Sequence, residues 1–194
     1  QAGYLSLTVD QIKNGFEIEH NSKLPLVINA EAVGPRKGLA AVNYGYDVKK
    51  WWHDSDGNAI DLTSGVLNAE QGDLFTVVIE IRKSDRVVMG DLLLSDLLPA
   101  GFEIEKSLIS PPKVGDFPVD LESGKTPDYT AHMDDRFIAH FESRWYQGNH
   151  AVISYVVRAA YSTEAQIGDA HVEHMYAPEI YGRSDVARAV VLEK

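Results

Sequence analysis

Apolar positions along this chain recur at the period of extended strands rather than of helices. Leu74 to Ile81 sets Phe75, Val77, Ile79 and Ile81 on one face at a period of two, which is a strand with one side in a core. His150 to Tyr161 is apolar on both faces, with Val152 and Val156 opposite Ile153, Tyr155 and Val157. That pattern predicts a central strand. Between them, Val87 to Glu105 holds the densest apolar run of the chain, Leu92 to Leu94 and Leu97 to Leu98, cut by Pro99-Ala-Gly101. Proline lacks a backbone donor and holds the residue before it extended, and glycine frees the turn. The reading is strand, turn, strand, with Phe102 and Ile104 on one face of the second arm and Glu103 and Glu105 on the other.

The rest of the chain repeats this pattern in shorter pieces. Tyr4 to Val9, Gly15 to His20 and Leu26 to Val33 read as three short strands, followed by a Gly34-Pro-Arg-Lys-Gly38 linker. Val42 to Trp52 reads as one strand that turns at Asp54 to Asn58 and returns through Ile60 and Leu62 as a hairpin. Asp54-Ser-Asp56-Gly57 resembles the start of a calcium loop, but Gly57 is fourth where an EF-hand needs glycine sixth. Lys106 to Asp135, rich in proline and glycine, reads as a long irregular connection with a short helix near Tyr129 to Asp134. Arg136 to Phe141 is a strand and Gln147 to Asn149 a turn. His171 to Tyr176 is a strand ended by Pro178 and turned at Gly182, and Val186 to Leu192 closes the chain as the last strand. The expected fold is all-β, an antiparallel β-sandwich over residues 35–194, with a domain boundary at the linker that follows the first three strands.

Composition narrows the function classes. The formal net charge of −11 and the scattered cations disfavour nucleic-acid binding. No cysteine is present, so the chain has no disulfide, thiolate metal site or cysteine nucleophile. No signal-peptide pattern precedes Gly3 and no apolar run reaches the roughly 20 residues of a membrane span. This reads as a cytosolic protein or a piece of a longer exported one, without direct membrane insertion.

Candidate chemistry is sparse. His171 and His174 stand three apart, which puts them on opposite faces of a strand and disfavours a shared metal. His132, His140 and His150 lie on separate elements. Asp134-Asp135 beside Arg136 reads as a solvated turn or an ion pair. No nucleophile elbow or phosphate loop is present. Neither cofactor, metal site nor catalytic residue is expected, and function should reside in a surface. The best candidate surface is Val172 to Ser184. If Glu173 and Met175 share a face and His174 and Tyr176 take the other, one of Met175 and Tyr176 points outward; the alternative is that both lie in the core.

Five motifs then carry a family resemblance. Asp96-Leu-Leu-Pro-Ala-Gly-Phe-Glu-Ile104, Asp134-Asp-Arg-Phe-Ile-Ala139, Tyr155-Val-Val-Arg-Ala-Ala160, Glu173-His-Met-Tyr-Ala-Pro178 and Tyr181-Gly-Arg-Ser184 occur in the order seen at the C-terminal end of bacterial alpha-2-macroglobulins. The resemblance runs from about Leu39 to the end, and it implies that residues 1–34 are the closing strands of the preceding β domain plus linker. It implies the final macroglobulin-like domain of a broad-range protease trap in the periplasm, free or lipid-anchored to the inner membrane. In such a trap, cleavage of a bait region exposes an internal Cys-Gln thioester that bonds to the protease. This domain would be non-catalytic. Its partner would be the thioester domain of the same parent chain, and target proteases would be met through the parent. Matching the family's Met-Tyr-x-Pro motif, Met175 would reach the thioester with Tyr176 beside it. The Lys-bearing receptor helix of the eukaryotic relatives has no counterpart here. The competing reading is a structural or adhesive immunoglobulin-like module of a bacterial surface protein, which would occur in tandem copies.

Overall fold

The computed structural model of the chain describes residues 5–15, 17–19, 21, 25, 27–28, 40–85, 87, 90–106, 116–142 and 150–193. It divides into two compact units, Gln1–Pro35 and Arg36–Lys194. Among the described residues of the first unit there is no strand, and the strand expected over Tyr4 to Val9 is corrected: its end opens a helix, α1 (Val9–Asn14). The cause is a capping box: the Gln11 amide donates to the Thr8 hydroxyl and the Thr8 amide donates to Gln11 Oε1 at 2.9 Å. These reciprocal bonds satisfy orphan donors of the first turn and outweigh the β-branched character of Thr8-Val9. Gly15 and residues 17–19 continue without regular structure. Most of Leu26 to Val33 and the whole Gly34 to Gly38 linker lie outside the described residues.

The second unit is a β-sandwich, as its alternation predicts. Its strands are β1 (Val42–Tyr44), β2 (Tyr46–His53), β3 (Val66–Glu70), β4 (Leu74–Lys83), β5 (Leu92–Leu97), β6 (Phe102–Ile104), β7 (Tyr129–His132), β8 (Arg136–Phe141), β9 (His150–Ala159), β10 (Thr163–Ile167), β11 (Ala170–His174), β12 (Ala177–Arg183) and β13 (Ala187–Leu192). One sheet has the order β1-β12-β11-β5-β8-β7, a second β2-β4-β9-β6, and a third β10-β13-β3. All pairs between strands are antiparallel except β13 with β3. Phe75, Val77, Ile79 and Ile81 of β4 pair in register with Val157, Tyr155, Ile153 and Ala151 of β9. They share one core with Leu92, Leu94, Phe137, Ala139, Phe141 and Val172 of the six-stranded sheet. Each such large side chain contributes roughly 1.5–3 kcal/mol by leaving water. As predicted, β9 is an inner strand, with few exposed positions on either face.

Several predicted elements are redrawn. Val42 to Trp52 is two strands, because Gly45 takes φ 117 and passes the chain from the six-stranded sheet to the four-stranded one. The two arms flanking Pro99-Ala-Gly101 likewise belong to different sheets, β5 to the first and β6 to the second, so the turn is a corner of the sandwich. The expected helix at Tyr129 to Asp134 is β7, paired with β8 from Tyr129↔His140 to His132↔Phe137. Pro178 and Gly182 lie inside β12 and do not end it. Pro178 is tolerated because the register between β11 and β12 shifts beside it, and a Cβ on Gly182 would overlap the Tyr46 carbonyl oxygen, which only glycine allows. The short strands β3 and β10 were not anticipated.

The long connection before β7 is fastened at both ends where it is described. The Asp116 amide donates to the Gly57 carbonyl at 2.9 Å, and Phe117 lies 4.7 Å from the buried His53 ring of β2. Farther on, the Lys125 amide donates to the His150 carbonyl at 3.0 Å, and Ser123 Oγ is 3.3 Å from His150 Nε2. The expected turn at Asp54 to Asn58 forms, but its return through Ile60 and Leu62 is a single bridge, His53 with Ala59, and not a strand; Asp54 is occupied by its own loop, accepting from the Asp56 and Asn58 backbone amides and the Asn58 side-chain amide, each at 2.9 Å. The Asn58 side-chain bond first, and the backbone amides after it, hold its carboxyl below the usual range.

One polar group crosses the core. Asp96 of β5 is fully buried; it accepts from Lys50 Nζ of β2 and from the Tyr155 hydroxyl of β9, each at 2.6 Å. Lys50 also reaches the Gly168 carbonyl at 3.4 Å. Tyr155 stacks on Phe137 at 4.4 Å. Burial and the neighbouring Asp96 carboxylate push the Tyr155 hydroxyl well above its ordinary pKa.

Candidate functional site

The site is the turn between β11 and β12. His174 pairs with Ala177, leaving Met175 and Tyr176 as a two-residue hairpin loop. Such loops ordinarily place a residue at positive φ, a conformation strained for methionine and tyrosine, and neither adopts it. The mismatch is taken up in the strand that follows. Glu173 pairs with Tyr181 while His174 pairs with Ala177, so Pro178, Glu179 and Ile180 bulge out opposite no residue of β11. Ile180 packs back on the core beside Gly45.

Three contacts fix the loop. The Met175 amide donates to the Asp91 carbonyl at 2.9 Å, tying the tip to the start of β5. The Tyr176 amide donates to His174 Nδ1 at 3.2 Å. The imidazole of His174 lies against Gly90, where a Cβ would overlap the ring. Both side chains at the tip are presented to solvent: Met175 is 44% exposed and Tyr176 77%. The expectation that only one of them points outward is therefore corrected, and so is the alternative that both lie in the core. A two-residue loop, unlike a continuing strand, does not alternate.

Behind the tip, the outer face of the six-stranded sheet carries a row in register across all six strands: Tyr44, Tyr181, Glu173, Leu93, His140 and Tyr129. Tyr44 and Tyr181 lie 5.1 Å apart, and His171 stacks on Tyr181 at 5.6 Å. His171 Nε2 is 3.5 Å from the Glu173 carboxylate, the same-face neighbour two residues on, while His174 faces Gly90. The two histidines thus have separate surroundings, as their spacing implied. Among the described residues no group of three or more His, Cys, Asp or Glu could hold a metal ion. The expected ion pair at Asp135 and Arg136 is present at 2.6 Å, and it lowers the Asp135 carboxyl. The sequence places His174 within the candidate surface and Gly90 as a break in the apolar run, but does not pair the two. The usable signal was an acceptor side chain two residues before an amide that needs one.

The sandwich and its presented tip define a macroglobulin-type domain. Residues 45–179 match the model of the bacterial alpha-2-macroglobulin MG10 domain, and the chain belongs to that family. An alpha-2-macroglobulin of Xylella fastidiosa is 29% identical over 93% of this chain and 11% of its own length. The chain thus spans about a tenth of the curated relatives it matches. Among solved structures, the native Escherichia coli alpha-2-macroglobulin fragment from domain MG7 to the C-terminus has the same fold, with 23% identity, TM-score 0.63, and 81% of this chain and 25% of that chain covered. The Escherichia coli protein activated by porcine elastase is 26% identical with TM-score 0.60, covering 81% of this chain and 14% of that one.

Proposed function

We propose that the chain is the final macroglobulin-like domain of a periplasmic protease trap, and that it packs on the thioester domain of the same protein and keeps the thioester dry until bait cleavage. Residues 1–34 then come from the domain before it. The chain itself is non-catalytic and has no cysteine, so the thioester must be supplied by another part of the protein. The observation that carries the reading is the fixed tip. A 44%-exposed methionine and a 77%-exposed tyrosine sit on an anchored two-residue loop, where they add little to their own fold. A thioester is an acyl electrophile open to water and amines, and an apolar lid with a polar end excludes both. Target proteases are met through the whole protein.

The experiment is thiol titration with intact mass on the full-length protein, wild type against Met175→Ala and Tyr176→Ala, before any protease is added. Early release of free thiol in the variants supports the lid. Equal protection in all three places the shield elsewhere. Absence of a thioester in all three would remove the protective role. Tandem copies of this domain in the full-length protein, without a Cys-x-x-Gln segment, would favour an adhesive module instead.

A further inference from the structure

We infer that His174 is the positioning residue of this tip: its imidazole, seated over Gly90, holds Tyr176 in the presented orientation by accepting that residue's backbone N–H. The inference rests on the shielding role proposed above for Met175 and Tyr176, and adds what sets their direction. A two-residue hairpin loop without a positive-φ residue does not match the twist of its strands and needs outside support. The Met175 amide has support in the Asp91 carbonyl at 2.9 Å. For the Tyr176 amide it is His174 Nδ1, at 3.2 Å. An amide bonded to the side chain two residues earlier is the geometry that Asn and Asp adopt in Asx turns.

Two features suit the histidine to this place. Nδ1 must be the unprotonated nitrogen of the ring to accept, so the ring carries its proton on Nε2. The ring must also stay on the Gly90 side, because a side chain at position 90 would occupy its place. Gly90 and His174 act as seat and peg. Tyr176 is more exposed than Met175, so it depends more on its backbone than on packing for direction.

The test uses the full-length protein with two readouts: hydrogen exchange at the Tyr176 amide, and methylamine-induced thiol release before protease. His174→Phe keeps a ring of similar size but offers no acceptor. It should speed Tyr176 exchange about fivefold, the effect of losing one ordinary hydrogen bond, and speed thiol release. His174→Asn returns an acceptor to the amide two residues on and should restore both readouts, a rescue that a merely space-filling role would not give. Gly90→Ala, which expels the ring, should behave as His174→Phe. Unchanged Tyr176 exchange in His174→Phe, or failure of His174→Asn to restore it where His174→Phe raises it, overturns the inference. Faster exchange with unchanged thiol release leaves His174 as the peg and overturns the shielding role instead.

Discussion

The Lys50–Asp96–Tyr155 network and the Met175–Tyr176 tip treat chemistry in opposite ways. In the network, charged and polar groups lie in the core with their hydrogen bonds made, joining β2 and β9 of one sheet to β5 of the other. At the tip, an apolar and an aromatic side chain are held out in solvent. Buried polar groups must be satisfied or they cost stability, so the network answers to the fold. Exposed apolar groups gain little from the fold that presents them, so the role proposed for the tip lies outside the fold's own stability. Substitutions in the first should therefore change stability, and substitutions in the second should leave it unchanged.

The largest effect should come from breaking the network on one side. Lys50→Met strands Asp96 in the core and should lower unfolding free energy by about 3–5 kcal/mol in urea titrations. The double variant Lys50→Met with Asp96→Leu should be less destabilised than Lys50→Met alone, since no unpaired charge remains. A single variant with wild-type stability would show that the pair is not buried in solution. Gly182→Ala comes next, at about 1–3 kcal/mol, because the new Cβ must push β12 away from the Tyr46 carbonyl. Thermal melts of the purified variant read this directly.

A third test concerns pH. Burial lowers the pKa of His53 from 6.5, against the opposing pull of the Asp116 and Thr76 backbone and of the Asp116 and Asp54 carboxylates. Neither ring nitrogen has a hydrogen-bond partner of ordinary geometry among the described residues. The folded state thus prefers the neutral ring. His53 leaves stability intact above pH 6.5, and the loss begins as pH falls below that value and the unfolded chain takes up the proton first. The lowered carboxyls of Asp54 and Asp128 act only below their ordinary 3.8, so the loss that begins at pH 6.5 is not theirs. His53→Phe should flatten the slope just below pH 6.5, followed by chemical denaturation at fixed pH; an unchanged slope would assign it to other groups. The smallest stability effect belongs to Met175→Ala and Tyr176→Ala, within about 0.5 kcal/mol of wild type. A loss of several kcal/mol would make the tip part of the core.

How far these two regions were legible in sequence follows from their physics. Period-two patterns gave β4, β8, β9 and β13, because a strand with a buried face writes its contacts locally. Sheet membership was not legible. Gly45 reads as the interior of one strand and Pro99-Ala-Gly101 as a simple turn, and only tertiary pairing shows that each carries the chain from one sheet to the other. The Asp96 partners were hidden for the same reason, since Lys50 and Tyr155 are distant in sequence. Met175 and Tyr176 were found through motif order, while their shared exposure depends on a register shift that no periodicity encodes. α1 is missed because Thr8 and Val9 read as the end of an alternating run, which separates the capping Thr8 from its partner Gln11.

The parallel pairing of β13 with β3 has a consequence for how the chain is made. Leu67 and Ala69 lie beside Ala189 and Val191 in that pair, and all four belong to the core. Synthesis delivers β3 early and its partner among the last residues of this chain. A ribosome translating this region releases β3 long before the strand that seats it, and such long-range pairing is slow to form. That side of the core therefore stays open until β13 has emerged to seat β3.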